Sequence, residues 1–262
     1  MVDTPSVAAL FEPITVGGLA LRNRVAMTTH GPRLSQPRYL RYLHERSRDV
    51  ALVGVSASLG VSGFPVGPGA FDPGRVGEFD AVPPHPLTAA GMAFYDRQID
   101  AIAEQAAVIH ANGAMATGQL VHTGASQHEE TTQPVIAPSD VPDESRRHSP
   151  HLLTGLEIAD LVTAFGHGAR RIVRAGFDAV ELHAAHGYLI QQFLSPLTNR
   201  RTDAYGGTLD NRMRFVSEII EAVRQGAEDR VPVVVRITGS EEAEGGLTAD
   251  AMGEVARRLQ EL

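Results

Sequence analysis

The sequence predicts an α/β protein built on a parallel sheet. Three observations predict it. Short apolar runs alternate with helix-like segments in five successive units along 262 residues. Several of those runs are almost continuously apolar, as strands buried on both faces are. Polar, chemically capable residues gather just past the ends of the runs, where parallel α/β proteins place their sites.

The elements follow in order. Residues 10–24, LFEPITVGGLALRNR, suggest a β-hairpin whose turn Gly17 and Gly18 supply. A first strand over 25–29 ends at Thr28, Thr29, His30 and Gly31, and a helix over 37–48 starts with Pro37, a residue suited to the first helical turn. The second strand, 50–56, is a small apolar run, followed by a Gly- and Pro-rich loop over 57–87 and a helix over 89–112 that Gly113 stops. The third strand, 114–121, carries Gln119 and leads to His122, then to a long loop that includes His128, His148 and His151.

Thr154 and Glu157 form a capping-box pattern for a helix over 154–175, which Gly176 ends. A fourth strand over 179–182 is paired with a helix over 209–228. The fifth strand, 231–237, bears Arg236 near its end, and Thr248 caps a helix over 248–262.

Composition narrows the function classes. With 43% apolar residues the chain can bury a sizeable core as one domain. A net charge of -8 with interspersed signs argues against nucleic acid or an anionic membrane as the main partner. Cysteine is absent, so disulfides and thiolate-ligated metals or clusters are excluded within these residues. MVDTPSVAALF lacks the pattern of a secretory leader, and no apolar run approaches the roughly 18 residues that span a bilayer; a cytoplasmic protein is expected.

Residues 178–214 hold the densest chemistry, where the fourth strand opens into His183, His186 and Tyr188. Two imidazoles three apart and a phenol two further on can converge on one small substrate if the chain leaves the strand in a helical turn. Equally, a His-x-x-His is often a hydrogen-bonded structural pair, and a Tyr near a strand end is often a core residue with a wet hydroxyl. His183 and His186 with His30 or His122 would also make a three-imidazole metal site. Gln119 and Arg236, set in apolar strands, each require a partner.

The segment ELHAAHGYLIQQFLSPLTNRRTDAYGGTLDNRMRF, residues 181–215, resembles the signature of the old yellow enzyme superfamily of FMN-dependent oxidoreductases, in its dienoyl-CoA reductase and trimethylamine dehydrogenase branch. The likeness runs from Leu10 to about Leu247. It implies a (β/α)8 TIM barrel, of which residues 1–262 supply the hairpin and about five units, as one FMN-binding domain without about the last three. It also implies FMN as cofactor and NAD(P)H as electron donor.

By the same resemblance Thr28, Thr29 and His30 lie against the flavin, Gln119 bonds its ring, and Arg236 meets the pyrimidine edge. His183 and His186 bind the oxygen of an activated carbonyl, and Tyr188 passes a proton. His122 reads as a loop residue facing solvent; Arg200, Arg201, Asp203 and Tyr205 read as braces for the long connection. With Gln119, Arg236 and DAYGGTLDNR all in family order, flavin is expected ahead of a metal.

The expected function is hydride transfer between NAD(P)H and a small activated alkene or enone. His183 favours this, because the amine-oxidising branch commonly has Tyr at that position. His30 resembles the amine branch, so an amine dehydrogenase or demethylase is the alternative, with a non-catalytic scaffold subunit as a third. Five units leave two open strand edges, so either residues 1–262 are a truncated product, or a second polypeptide or a homo-oligomer is expected to complete the barrel. The flavin phosphate site belongs, in the family, to strands seven and eight.

Overall fold

The structure, a computed structural model, describes residues 7–31, 34–58, 99–126, 135–142 and 149–262. Most of the expected loop 57–87, the start of the expected helix 89–112, and His128 and His148 lie outside the described residues. The strands are β1 (Ile14–Val16), β2 (Leu19–Leu21), β3 (Ala26–Met27), β4 (Leu52–Ser58), β5 (Met115–Val121), β6 (Ile136–Ala137), β7 (His151–Leu152), β8 (Ala179–Ala184) and β9 (Val233–Ile237). The α-helices are α1 (Gln36–Arg46), α2 (Ile99–His110), α3 (Gly155–Arg174), α4 (Leu189–Leu194), α5 (Leu209–Gly226) and α6 (Ala249–Gln260).

Strands β3-β4-β5-β8-β9, in that order, form one parallel sheet, so the five expected units are present. Two features escaped the sequence reading: the small parallel pair β6-β7 and the one-and-a-half-turn helix α4. β8 runs two residues past the expected 182, because Ala184 still pairs with Ile237 of β9. His183 therefore sits within the strand.

Alternation divides the sheet into two faces. Val53, Val55, Ala116, Leu120, Val180 and Leu182 point to the helices and are fully buried against Ile109, Phe165, Ile172 and Ile219. Each such Val or Leu side chain contributes about 1.5–3 kcal/mol on removal from water. The alternate set, which includes Thr117, Gln119, Glu181, His183 and Arg236, lines the hollow. The sheet curls far enough that Arg236 Nη1 on β9 donates to the Thr29 carbonyl, just beyond β3, at 3.4 Å.

Helix signals worked as expected. Glu157 N donates to Thr154 Oγ1 at 3.3 Å and Thr154 N to Glu157 Oε2 at 2.7 Å, which closes the capping box of α3; Thr248 caps α6. α3 and α5 pack so closely that a Cβ on Gly226 would lie 2.0 Å from the Gly166 carbonyl oxygen. Only a residue without a side chain permits that approach.

The lower ends of the strands are tied by specific polar contacts. The turn of the β1-β2 hairpin has Gly17 and Gly18 at φ 55° and 85°, the left-handed pair a two-residue turn needs. Gly17 lies beside Pro232, just ahead of β9, so the hairpin sits at the lower end of the sheet. From it, the Arg22 guanidinium donates to the carbonyls of Ser47 (3.0 Å), Val50 (2.8 Å) and Asn112 (2.8 Å), which precede β4 and β5. Asp178 Oδ2, ahead of β8, accepts from Ala116 N at 2.8 Å and faces His110 Nε2 at 2.7 Å.

Among the described residues, β3 pairs in the sheet only with β4 and β9 only with β8. The residues of β9 are all half-buried, whereas most of β8 is buried. No helix among the described residues is long and apolar enough to cross a membrane.

Candidate active site

The upper ends of β3, β5, β8 and β9 converge on one mouth. His183 comes from the last turn of the β8 pleat and is 5% exposed. The chain then reverses at His186, which is exposed and takes φ 59°. A non-glycine residue in the left-handed region marks a position that the surroundings over-determine. Tyr188 follows as the N-cap residue of α4.

The surroundings that fix His186 come from α4 and the loop after β9. His186 N donates to Thr238 Oγ1 at 3.2 Å, and Thr238 Oγ1 donates to Gln191 Oε1 at 2.7 Å. Gln191 Oε1 also accepts from Gly187 N at 2.7 Å, while its amide nitrogen donates to Glu241 Oε1 at 2.9 Å. The other Glu241 oxygen accepts from Ser195 Oγ (2.8 Å) and Leu247 N (2.7 Å). Gln192 does the same for the β5 loop: its Oε1 accepts from Ala125 N at 3.1 Å and its Nε2 donates to Gly187 O at 2.6 Å.

Within that frame the three expected residues meet. The His183 ring centroid lies 4.8 Å from that of His186 and 4.9 Å from that of Tyr188. His183 Nδ1 accepts from Ala185 N at 3.2 Å, so the neutral ring carries its proton on Nε2. That Nε2 lies 3.1 Å from His186 Nδ1 and donates to it, which puts the His186 proton on Nε2. The pair thus presents one outward N–H, from His186, rather than two aimed at a common acceptor.

Electrostatics keeps both imidazoles neutral. Burial above all, then His186 and Arg236, pushes His183 down to about 4. Burial and the Arg236 charge also lower His186. At neutral pH each ring is a hydrogen-bond donor without charge.

The remaining expected residues divide. Gln119, 4% exposed, donates from Nε2 to Glu181 Oε1 on the neighbouring strand. Thr29 is buried and its hydroxyl has no hydrogen-bond partner, one of few such atoms among the described residues. Its close seat is possible because Gly54 on β4 has no side chain; a Cβ there would lie 2.6 Å from Thr29 N. Thr28 is exposed. His30 is turned toward α1, with Nε2 2.6 Å from the Tyr42 hydroxyl and Nδ1 3.1 Å from Thr28 O.

His122 corrects an expectation. It does not face solvent: it is 6% exposed, its Nδ1 accepts from Gly124 N at 2.9 Å, and burial lowers it to about 4. The loop after β5 is roofed by α4, whose Leu189 N donates to the His122 carbonyl at 2.9 Å. No three metal-ligating side chains are grouped among the described residues; His30, held at Tyr42, does not join the imidazole pair. Arg201 braces the long connection as read, donating to Pro138 O (3.0 Å) and Leu153 O (2.7 Å).

Glu181, Gln191, Gln192 and Glu241 were missed. The signal for the glutamines was present, two adjacent amides in the apolar LIQQFL; Glu181 was visible only as a charge interrupting a buried strand.

A flavin's pyrimidine edge offers carbonyl acceptors and an N–H donor. An amide at Gln119, a cation at Arg236 and the unpartnered hydroxyl of buried Thr29 supply the complementary set. The residues fit.

Comparison with known proteins shows the family and the fold. The model of the NADH:flavin oxidoreductase / NADH oxidase family matches residues 86–262. An NADPH dehydrogenase of Geobacillus sp. (strain WCH70) is 35% identical over 260 residues, spanning 96% of this chain and 69% of that protein. Among solved structures, Old Yellow Enzyme from Pichia sp. AKU4542 aligns with TM-score 0.76 and 27% identity over 97% of this chain and 68% of its own. A 2-naphthoyl-CoA reductase complexed with 2-naphthoyl-CoA aligns with TM-score 0.77 and 27% identity, over 96% of this chain and only 38% of its own. The chain therefore spans about two thirds of the first two relatives and well under half of the third.

Proposed function

The chain belongs to the NADH:flavin oxidoreductase / NADH oxidase family, and from that premise we propose an FMN-dependent oxidoreductase that moves hydride between NAD(P)H and a small activated alkene such as an enone. The observation that carries the reading is the grouping of His183, His186 and Tyr188 at the same mouth as Gln119 and Arg236. Bound FMN would supply the hydride exchange. A cytoplasmic location belongs to the reading, since NAD(P)H is a cytoplasmic reductant.

In this mechanism Gln119, Arg236, Thr28 and Thr29 would hold the ring, with His30 behind Thr28 as a brace against α1. The His186 Nε2–H donates to the substrate's carbonyl oxygen and draws charge from the alkene, as neutral donors aimed at developing charge do. His183 orders that donor through its own Nε2–H. The Tyr188 hydroxyl gives the proton that completes reduction. Support for an enone over an amine comes from His183, and from His30 lying at Tyr42 rather than at the imidazole pair.

Among the described residues the open edges of β3 and β9 fit a barrel completed by further strands, from a continuation of the same polypeptide, a second polypeptide or another copy of this chain. We read residues 1–262 as one barrel domain of this kind. The test is to purify the chain alone and with candidate completing segments, then measure released FMN and NADPH-driven reduction of a cyclic enone. Enone reduction by a yellow preparation is expected; a colourless protein in every preparation refutes the reading in favour of a scaffold.

A further inference from the structure

Glu181 is a carboxylate in the hollow of the sheet, and the proposed reaction gives it no task. It lies two residues before His183 on the same face of β8 and opposite Gln119 in the β5-β8 register. Burial there dominates and leaves its pKa raised, while the Gln119 hydrogen bond and the Arg236 charge hold that rise back. A carboxylate inside a protein costs free energy unless it is matched. A neutral acceptor would satisfy Gln119 equally, so the charge needs its own explanation.

Two consequences of the charge are specific. An ionised carboxylate only accepts hydrogen bonds, so it fixes which end of the Gln119 amide faces it. The Gln119 Nε2 is committed to Glu181, and its Oε1 with the second N–H is left for the mouth. The guanidinium of Arg236 acts on Glu181 as well as on His183 and His186. A negative group at this point weakens the positive field that Arg236 projects into the hollow.

We propose that Glu181 is a positioning residue for the flavin ring: its carboxylate sets the orientation of the Gln119 amide and offsets the Arg236 charge, and so tunes the reduction potential of bound FMN. The inference rests on the flavin reading above. A cation at the pyrimidine edge favours the anionic reduced ring, and Glu181 limits that preference.

The experiment is a reductive titration of the FMN-loaded protein and its E181Q variant. E181Q keeps the shape and an acceptor for Gln119 but removes the charge. The reduced ring is expected to gain about tenfold in relative affinity, as for loss of one nearby charge, which for a two-electron couple is about 30 mV more positive. FMN bound with unchanged potential overturns the proposal.

If E181Q does not fold, E181D is read instead. It keeps the charge but withdraws from Gln119, so the potential should hold while FMN dissociates about five- to tenfold more readily, the worth of one hydrogen bond. Unchanged affinity overturns the proposal. A wild-type protein that takes up no FMN in any preparation, alone or with completing segments, refutes the flavin reading itself, and this inference with it; the two failures are thus distinct.

Discussion

Acidification from pH 7 to pH 5 should destabilise the fold through two buried imidazoles. His122 and His183 are 6% and 5% exposed, and both are held down to about 4 in the folded protein, against an ordinary value near 6.5. Between those values the unfolded chain takes up protons that the folded chain refuses, so stability falls as pH falls through the window and is level above it. At pH 5 the difference amounts to roughly 1.5 pH units per ring, or about 2 kcal/mol each and about 4 kcal/mol together. Glu181, whose pKa burial raises, works in the opposite direction and offsets part of this. His186 is exposed and adds little.

Urea unfolding followed by circular dichroism at pH 7, 6 and 5 reads the effect directly. The midpoint should fall at each step, and His122→Asn should remove about half of the pH dependence while lowering stability at pH 7. Equal stability at pH 5 and pH 7 would falsify the assignment of neutral, buried rings, as would an unchanged slope in the variant.

Three further outcomes follow from the site and its frame. Tyr188→Phe should leave FMN bound and slow enone turnover by about a hundredfold or more, as expected when a proton donor is lost; stopped-flow oxidation of reduced flavin by the enone decides this, and unchanged rates remove Tyr188 from the mechanism. His186→Ala should weaken a phenol ligand, an enolate mimic, by about 1 kcal/mol or more through loss of the one outward N–H, measured by flavin difference spectra; equal affinity would sink the oxygen-binding role. Gly226→Ala should force α5 from α3 and cost at least about 1–3 kcal/mol in urea unfolding, because the added carbon meets the Gly166 carbonyl; a neutral effect would mean the helices are free to slide apart.

The legible parts were those set by local rules. Alternation of apolar runs gave the five parallel units, and Thr154 with Glu157 gave the start of α3. His183, His186 and Tyr188 were legible because they share one short segment. The frame around them was not. Gln191 and Glu241 are 50 residues apart and meet through side-chain amide and carboxylate, a pairing that no local periodicity encodes. His122 was misread because the helix that roofs it, α4, spans six residues, too short to leave a helical pattern. His30 lies near the mouth in sequence terms, yet the partner that turns it is Tyr42 on α1.

The polar ties at the lower strand ends bear on how this protein tolerates mutation. Arg22 and Asp178 hold the strand entrances, while Gln119, Glu181, His183 and Arg236 face the opposite mouth. Substitutions at Arg22 or Asp178 should show up as lost abundance with normal turnover per molecule. Substitutions at the mouth should show the reverse. Comparing abundance with specific activity across a mutant library would then sort the two ends of the same strands into separate classes, and selection for a new substrate could rework the mouth while Arg22 and Asp178 keep the sheet in register.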